Sequence, residues 1–477
     1  MKRFIIILFL LKSVGTVFGQ CQAAKVDERF ELTSIVCRLA GASEYMDCRV
    51  PEYAENIDRY FKRYSLHPLI SYMQEIRNEY GISYDAISSL AYATVIENNK
   101  ICIRINDKWA QLPDSAQLTE IDRRWTKKTL SKYLVLLNDF YHKTRFRHFF
   151  ESNRLLYATA EKRMDKLIAE IDIKWFENFY GIAFGDPEIY VSITNGPSNY
   201  ALIDKTDTSR YGILIGCNSR QDGTPDFLAN SLVTVIHEFS HKFCNPLAKA
   251  YSLDFAPYVE CIGPKITHLL HSGAYNTNAI VPEWLTRLGV LMYLREHHPE
   301  KMKSTIIFDQ RVGIIWQKRA VQFMENFYSN RAIYPYFSDF MPQLIGFFQF
   351  IVRDFDRVIA EYDNRNPYII NVFPADGSQI NMSQDTIKIE VKFSEAMATY
   401  CQGYRLLGDS MEELNNIAPP SGWKTAEWKD EYTFMLRFKP EWLKIGDIHG
   451  LVLIKEFMQS ESGYPLVEDF ELNYSIQ

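Results

Sequence analysis

Five consecutive residues, His237-Glu238-Phe239-Ser240-His241, carry the clearest chemical pattern in this sequence. Residues four apart on a helix share one face, so the two imidazoles can reach the same metal ion. Glu238 lies beside the first histidine, where it can take a proton from a metal-bound water. Imidazole ligands with an open water position suit zinc, which lowers the pKa of that water to about 7 and polarises a carbonyl. The pattern predicts metal-assisted hydrolysis, with His237 and His241 as zinc ligands and Glu238 as the general base.

A zinc site needs a third protein ligand, and Glu283 fits that role best. Cys244 and Leu247 stand where the longer pattern HExxHxxGxxH has its glycine and last histidine, so the third ligand must lie farther along the chain. Glu283 follows Pro282 in the first turn of a second predicted helix. Its other interpretation is an acid that compensates the helix dipole and pairs with Arg287. Three further residues remain candidates for the third ligand: Glu260, His268 and His271.

Tyr275 is the predicted donor to the oxyanion that forms when water attacks a carbonyl. It lies in the loop before the second helix, and its phenol hydroxyl can donate a hydrogen bond to a developing negative charge. The chain has 29 tyrosines, so the alternative is that Tyr275 only packs.

Short elements before the motif are predicted to position it. Residues 189–193 and 211–215 are β-prone apolar runs with glycine, proline and asparagine between them, so two strands precede the motif. Thr224, Pro225 and Asp226 supply the hydroxyl, proline and acid that are typical of a helix start. The helix is predicted to end near residue 244, because an asparagine-proline pair follows.

The hydrophobic period changes along the chain and predicts two domains. From residue 28 to about residue 184, apolar residues recur at helical spacings. After residue 365, alternating apolar runs separated by turn residues predict a small β-sandwich of about 110 residues, with strands at 387–393, 433–438 and 451–454. The predicted class is α+β, with a mainly helical domain that has a small sheet over 20–364 and an all-β domain over 365–477.

The N-terminus has the pattern of an export signal. Basic residues precede an apolar run over residues 4–11, and Gly19 offers a small-residue cleavage site before Gln20. Residues 1–19 are therefore predicted to be a signal peptide, which places the mature protein in the periplasm, at the cell surface or outside the cell. The apolar run is too short for a membrane span. Lipidation at Cys21 is the alternative.

Charge and cysteine spacing exclude two other classes. The net charge of −6 and the absence of a long basic block argue against a nucleic-acid partner. The eight cysteines contain no CxxC pair, so they predict no zinc ribbon. In an exported protein some cysteines can pair, and the neighbours in sequence are Cys37 with Cys48 and Cys244 with Cys261.

The motif and Glu283 together resemble the gluzincins, zinc peptidases in which a second helix after the HExxH helix bears a glutamate ligand. Residues 28 to about 350 resemble an exported bacterial HExxH family catalogued as a domain of unknown function; the matching stretches are 31–32, 39–40, 58–68, 237–247 and 283–287. These resemblances imply a zincin-like metallopeptidase domain, a zinc cofactor and a peptide or protein substrate.

Two positions depart from the pattern. Lys242 is charged where zinc-peptidase helices keep an uncharged residue, and Arg287 stands where gluzincins often have an aspartate that orients a histidine.

The C-terminal domain resembles the bacterial Ig-like modules of surface proteins. The resemblance rests on Phe-Pro-Ala-Asp-Gly-Ser at 373–378 and Phe-Ser-Glu-Ala-Met at 393–397. Such modules usually act as spacers or bind, so this resemblance implies an Ig-like sandwich that positions the enzyme and contacts a surface or glycan partner.

The sequence favours an exported zinc metallopeptidase with His237, His241 and Glu283 as ligands. One alternative is a surface or periplasmic binding protein whose metal site is structural or vestigial. A third reading is a zinc hydrolase of a non-peptide amide or ester, which would use the same residues.

Overall fold

The computed structural model describes residues 21–104, 107–207, 210–267, 277–381, 383, 385–399, 403–406, 425–439 and 446–476. These residues divide into two units. The first takes the chain up to Lys249 and adds Ala332–Asp339, and the second takes Ala250–Arg331 and Phe340–Gln477. About half of the described residues are helical and several small sheets accompany them, which confirms the predicted α+β class.

The first unit combines helices with short strands. Its helices are α1 (Glu28–Leu39), α2 (Ser43–Met46), α3 (Pro51–Phe61), α4 (Pro68–Tyr80), α5 (Asp85–Tyr92), α6 (Lys127–Lys143), α7 (Phe146–Ser152), α8 (Arg154–Ile168), α9 (Ile173–Tyr180) and α10 (Ser231–Ala250). Its strands are β1 (Lys25–Val26), β2 (Thr94–Glu97), β3 (Lys100–Ile103), β4 (Glu188–Ser192), β5 (Tyr200–Ile203), β6 (Tyr211–Gly216), β7 (Asn218–Ser219) and β8 (Pro225–Asp226).

The main sheet of this unit has the order β1-β4-β6-β5. Strands β1, β4 and β6 run parallel, with Tyr190 opposite Leu214, and β5 runs antiparallel to β6. Every residue of β6 is buried, as expected for an apolar run in an inner strand of this mixed sheet. The two strands predicted before the motif are therefore confirmed as β4 and β6.

The motif helix α10 begins at Ser231, so the start predicted at Thr224 is wrong. Pro225 and Asp226 form β8, which pairs antiparallel with β7. The Thr224 hydroxyl donates to Asp222 Oδ1 at 2.7 Å, a turn bond rather than a helix cap. The same residue types that cap helices also stabilise turns, and here the hairpin uses them.

The predicted end of α10 near residue 244 is also wrong, because the helix continues through Pro246 to Ala250. A proline inside a helix removes one N–H bond and costs about 3 kcal/mol. Packing offsets this cost: Phe243 stacks on Tyr180 with ring centroids 4.5 Å apart, and the Ala248 side chain is buried.

The second unit begins with helices and ends with strands. Its helices are α11 (Ser252–Ile266), α12 (Ile280–His297), α13 (Met302–Arg311), α14 (Gln317–Phe323), α15 (Glu325–Ser329), α16 (Met341–Arg353) and α17 (Phe355–Asp363). Its strands are β9 (Ile369–Phe373), β10 (Gln379–Ile380), β11 (Ile387–Phe393), β12 (Tyr404–Leu406), β13 (Ala426–Asp430), β14 (Thr433–Phe438), β15 (Gly446–Leu453) and β16 (Phe470–Ile476).

Two four-stranded sheets form the C-terminal part of the second unit, with the orders β13-β14-β11-β9 and β10-β16-β15-β12. Their inward side chains share one core, in which Val391 and Leu436 of the first sheet join Leu453 and Leu472 of the second. Burial alternates along β11, which is the period that the sequence shows. The all-β texture predicted after residue 365 is confirmed, and the Ig-like identity stays a prediction.

The domain boundary predicted near residue 365 lies between α17 and β9, inside the second unit. Within that unit the Tyr464 hydroxyl bonds the Gln310 side chain of α13 at 3.1 Å. The boundary therefore stays a prediction.

Among the described residues, the helices lack the combination of length and apolar character that crossing a membrane requires. The predicted signal peptide, residues 1–19, lies outside the described residues.

The seven described cysteines are free thiols: Cys21, Cys37, Cys48, Cys102, Cys217, Cys244 and Cys261. The pairings suggested by closeness in sequence are therefore wrong. Cys37 is fully buried in α1, whereas the Cys48 thiol donates to the Ile193 carbonyl at 3.4 Å. Cys244 lies 3.5 Å from the Tyr180 hydroxyl, and Cys261 is exposed on α11.

Thiol labelling checks this arrangement. In the folded protein at pH 8, we expect iodoacetamide to alkylate exposed Cys261 at least 100-fold faster than Cys48. Burial raises the pKa of the Cys48 thiol to about 11, so only about one in a thousand is the reactive thiolate at that pH. Peptide-level mass spectrometry over time measures both rates, and the urea-unfolded protein is the control in which they should converge. Equal rates in the folded protein, or a disulfide at either residue, would contradict the structure.

Candidate metal centre

Aromatic packing fixes the helix that bears the motif. Phe239 and Phe243 project from the buried face of α10, where Phe239 contacts Phe176 and Phe184 with edge-to-face rings. Phe243 stacks on both Phe176 and Tyr180, which belong to α9. Phenylalanine pairs of this geometry add to the burial of apolar area and set the rotation of the helix. Because this face is buried, the histidines lie on the adjoining half-buried face.

His237 and His241 face each other across one helical turn, as their spacing predicts. Their Nε2 atoms are 3.1 Å apart and their rings are nearly perpendicular, with centroids separated by 4.7 Å. Two nitrogens that each lie about 2.1 Å from a tetrahedral zinc ion are about 3.4 Å apart. The two imidazoles therefore fit a shared metal ion with little rearrangement.

Glu238 completes a group that can hold a metal ion. Its carboxylate oxygen and the ligand nitrogens of His237 and His241 all lie within 4.8 Å of one another. The glutamate is only 8% exposed, whereas both histidines are half-buried. A buried carboxylate next to two imidazoles can accept a proton from a water that enters between them.

Asn245 is a contact of the site that the sequence pattern does not assign. Its Oδ1 lies 3.1 Å from His241 Nδ1, the ring nitrogen that faces away from His237. The sequence marks this residue only as a helix stop, because proline follows it. Its position four residues after His241 on a continuous helix is the signal that would have found it.

Lys242 does not disturb the metal group, although it is charged. Its ammonium donates to the carbonyls of Ala183 and Phe184 and lies 3.9 Å from the centre of the Tyr211 ring. Burial lowers the pKa of Lys242 below its usual value. The lysine thus holds the loop before β4 against α10, which explains why a charge is tolerated beside the second histidine.

Glu283 lies in the second unit, in the first turn of α12 as predicted. Its carboxylate is 3.7 Å from Arg287 Nε, so the pairing with Arg287 is present. Arg287 also bonds Asp309 at 2.9 Å, and burial raises the pKa of that fully buried aspartate. Ligation by Glu283 stays a prediction.

Glu260 is exposed on α11, and His268, His271 and Tyr275 lie outside the described residues.

The fold and the site define an α+β protein with a His-Glu-His group able to hold a metal ion. Residues 23–347, more than half of the chain, match DUF4932, which is described as a domain of unknown function. The protein belongs to that family.

Comparison with other proteins assigns no activity to this protein. No curated protein matches the chain. Among solved structures, CopC from Methylosinus trichosporium OB3b matches at 9% identity, covering 24% of this chain and 94% of its own length. Its TM-score of 0.18 is too low to support an assignment.

Proposed function

We propose that the protein is an exported zinc-dependent peptidase. The observation that carries the proposal is the placement of the His237 and His241 Nε2 atoms 3.1 Å apart, with the buried Glu238 carboxylate within 4.8 Å. When bound there, zinc would polarise the scissile carbonyl and make an attacking water more acidic. Glu283 supplies the third ligand in this proposal, and Tyr275 donates to the oxyanion.

The chain's own residues carry the proton transfers. Glu238 takes a proton from the water as the water oxygen bonds to the carbonyl carbon. It then gives that proton to the amide nitrogen as the C–N bond breaks, so the carboxylate is regenerated. His237 and His241 stay neutral throughout, since only a neutral imidazole has the lone pair that ligation needs.

Zinc titration of the purified protein tests the ligand set. We expect about one zinc ion per chain, and loss of tight binding in His237→Ala and His241→Ala. Glu283→Gln should weaken zinc binding more than about 100-fold, since losing even an outer partner of a ligand costs about 10–100-fold. Glu260→Gln is the matched control, because Glu260 is exposed on α11. If Glu283→Gln binds zinc as tightly as this control, Glu283 is not a ligand.

Digestion of a peptide mixture tests the activity. The zinc-loaded protein is incubated with the mixture, and mass spectrometry compares the products with those of chelator-treated protein. Zinc-dependent cleavage supports the proposal. Tight zinc binding without cleavage of peptides, amides or esters would instead favour a binding protein with a structural metal site. Cleavage of esters or non-peptide amides alone would keep the site and change the substrate class.

A further inference from the structure

The side chain of Asn245 accepts a hydrogen bond on the far side of the His241 ring. The Oδ1–Nδ1 distance is 3.1 Å, and an amide oxygen can only accept, so Nδ1 carries the hydrogen. A neutral imidazole with its hydrogen on Nδ1 has its lone pair on Nε2. That lone pair is on the side of the ring that faces His237 Nε2. A shared metal ion would bind both nitrogens on that side.

The helix holds Asn245 in place. Asn245 lies one turn after His241, and Pro246 follows it inside α10. A residue before proline avoids the helical conformation, so this turn is maintained by its surroundings rather than by local preference. Cys244 on one side is fully buried and contacts the Tyr180 hydroxyl, and Ala248 is buried one turn later.

The acceptor at residue 245 meets a general requirement of a metal-bound histidine. Metal-ligating histidines almost always donate their other ring N–H to an oxygen, which fixes the tautomer and the ring orientation. Arg287, four residues after Glu283, has five N–H donors and no acceptor, and it bonds Asp309. Its guanidinium therefore cannot accept from a histidine.

We propose that Asn245 is a positioning residue, which holds His241 as the Nδ1–H tautomer and aims Nε2 at the metal. This inference rests on the proposed metal site. It predicts that an acceptor is required at residue 245 and that its charge is not, so aspartate replaces asparagine whereas leucine and alanine do not.

Two measurements on the full-length protein test this inference. Chelator competition gives the zinc affinity, and nitrogen NMR of the metal-free protein gives the His241 tautomer. We expect Asn245→Leu and Asn245→Ala to weaken zinc binding about 10–100-fold and to populate both tautomers. Asn245→Asp should keep the affinity within about threefold, or tighten it, and keep the Nδ1–H form. Lys249→Ala, at an exposed position of the same helix, is the control that should change neither quantity.

The outcomes separate this inference from the proposed function. If the wild type binds no zinc, the proposed function fails, and the NMR arm still decides whether Asn245 sets the tautomer. If the wild type binds zinc and both apolar variants match it in affinity and tautomer, Asn245 is not a positioning residue. Equal losses in Asn245→Asp and Asn245→Leu would also overturn the inference, because the acceptor would not be the cause. Thermal unfolding shows that each variant is folded before it is compared.

Discussion

Glu238→Gln is expected to keep zinc and to lower the rate of hydrolysis about 10²–10⁴-fold, the usual contribution of a general base. Glutamine has the same shape as glutamate, so the buried position next to His237 and His241 should accept it. Its amide cannot take a proton from water, and the step that Glu238 performs is lost. The measurements are the zinc affinity and the cleavage rate of a peptide that the wild type cleaves.

The paired readout distinguishes a base from a ligand. Glu238 belongs to the group that can hold a metal ion, so a direct role in ligation is the competing explanation. A ligand role predicts that Glu238→Gln loses zinc together with activity, whereas a base role predicts that it loses activity alone. Glu260→Gln, exposed on α11, should match the wild type in both measurements. Full activity in Glu238→Gln would rule out the proposed mechanism.

The sequence predicts the parts of the site that depend on local periodicity. Helical spacing places His237 and His241 on one face, and the structure brings their Nε2 atoms within 3.1 Å. The strands β4 and β6 follow from their apolar β-prone runs in the same way. In both cases the period of a single element decides which side chains are neighbours.

Predictions fail where tertiary packing outweighs a local rule. Thr224 has the side chain of a helix cap, yet the β7–β8 hairpin uses it. Pro246 should end α10, yet the helix continues beyond it, and the stacking of Phe243 on Tyr180 stabilises this part of the helix. Because the sequence predicts that the helix ends near residue 244, it does not identify Asn245 as a contact of His241. Its side chain reaches His241 only on a continuous helix.

The local sequence pattern does not predict which residues distant in sequence contact each other. Closeness in sequence suggests that Cys37 pairs with Cys48, but the fold buries one in α1 and turns the other toward Ile193. Glu283 is a candidate ligand by residue type and helix position. Its pairing with Arg287 lies within α12, whereas metal ligation needs a contact outside that helix. The zinc affinity of Glu283→Gln therefore decides between the two interpretations.

A single change at Glu31 should strongly destabilise the first unit. Glu31 is fully buried, and its carboxylate accepts four hydrogen bonds. The donors are the Tyr53 hydroxyl at 2.8 Å, the Ser192 and Thr194 hydroxyls at 2.7 Å each, and the Ile193 N–H at 2.9 Å. One side chain of α1 thereby joins α3 to the end of β4 and to the segment that follows it.

Glu31→Ala is expected to lower the free energy of unfolding by about 3–5 kcal/mol, because it leaves buried donors without an acceptor and opens a cavity. Glu31→Gln fills the cavity but turns part of the acceptor into a donor, so it should cost less than alanine and still more than about 1 kcal/mol. Urea unfolding measures both values. Glu55→Ala, at an exposed position on α3, should stay within about 0.5 kcal/mol of the wild type.

Amide exchange locates the damage, since the chain has two units and a single unfolding transition need not report on both. The Ile193 N–H bonds directly to Glu31 Oε1, so its exchange should accelerate in both Glu31 variants. The Leu436 amide in β14 belongs to the second unit and should exchange at its wild-type rate. If Glu31→Ala unfolds within about 1 kcal/mol of the wild type and Ile193 stays protected, then another group satisfies these donors and the carboxylate is dispensable.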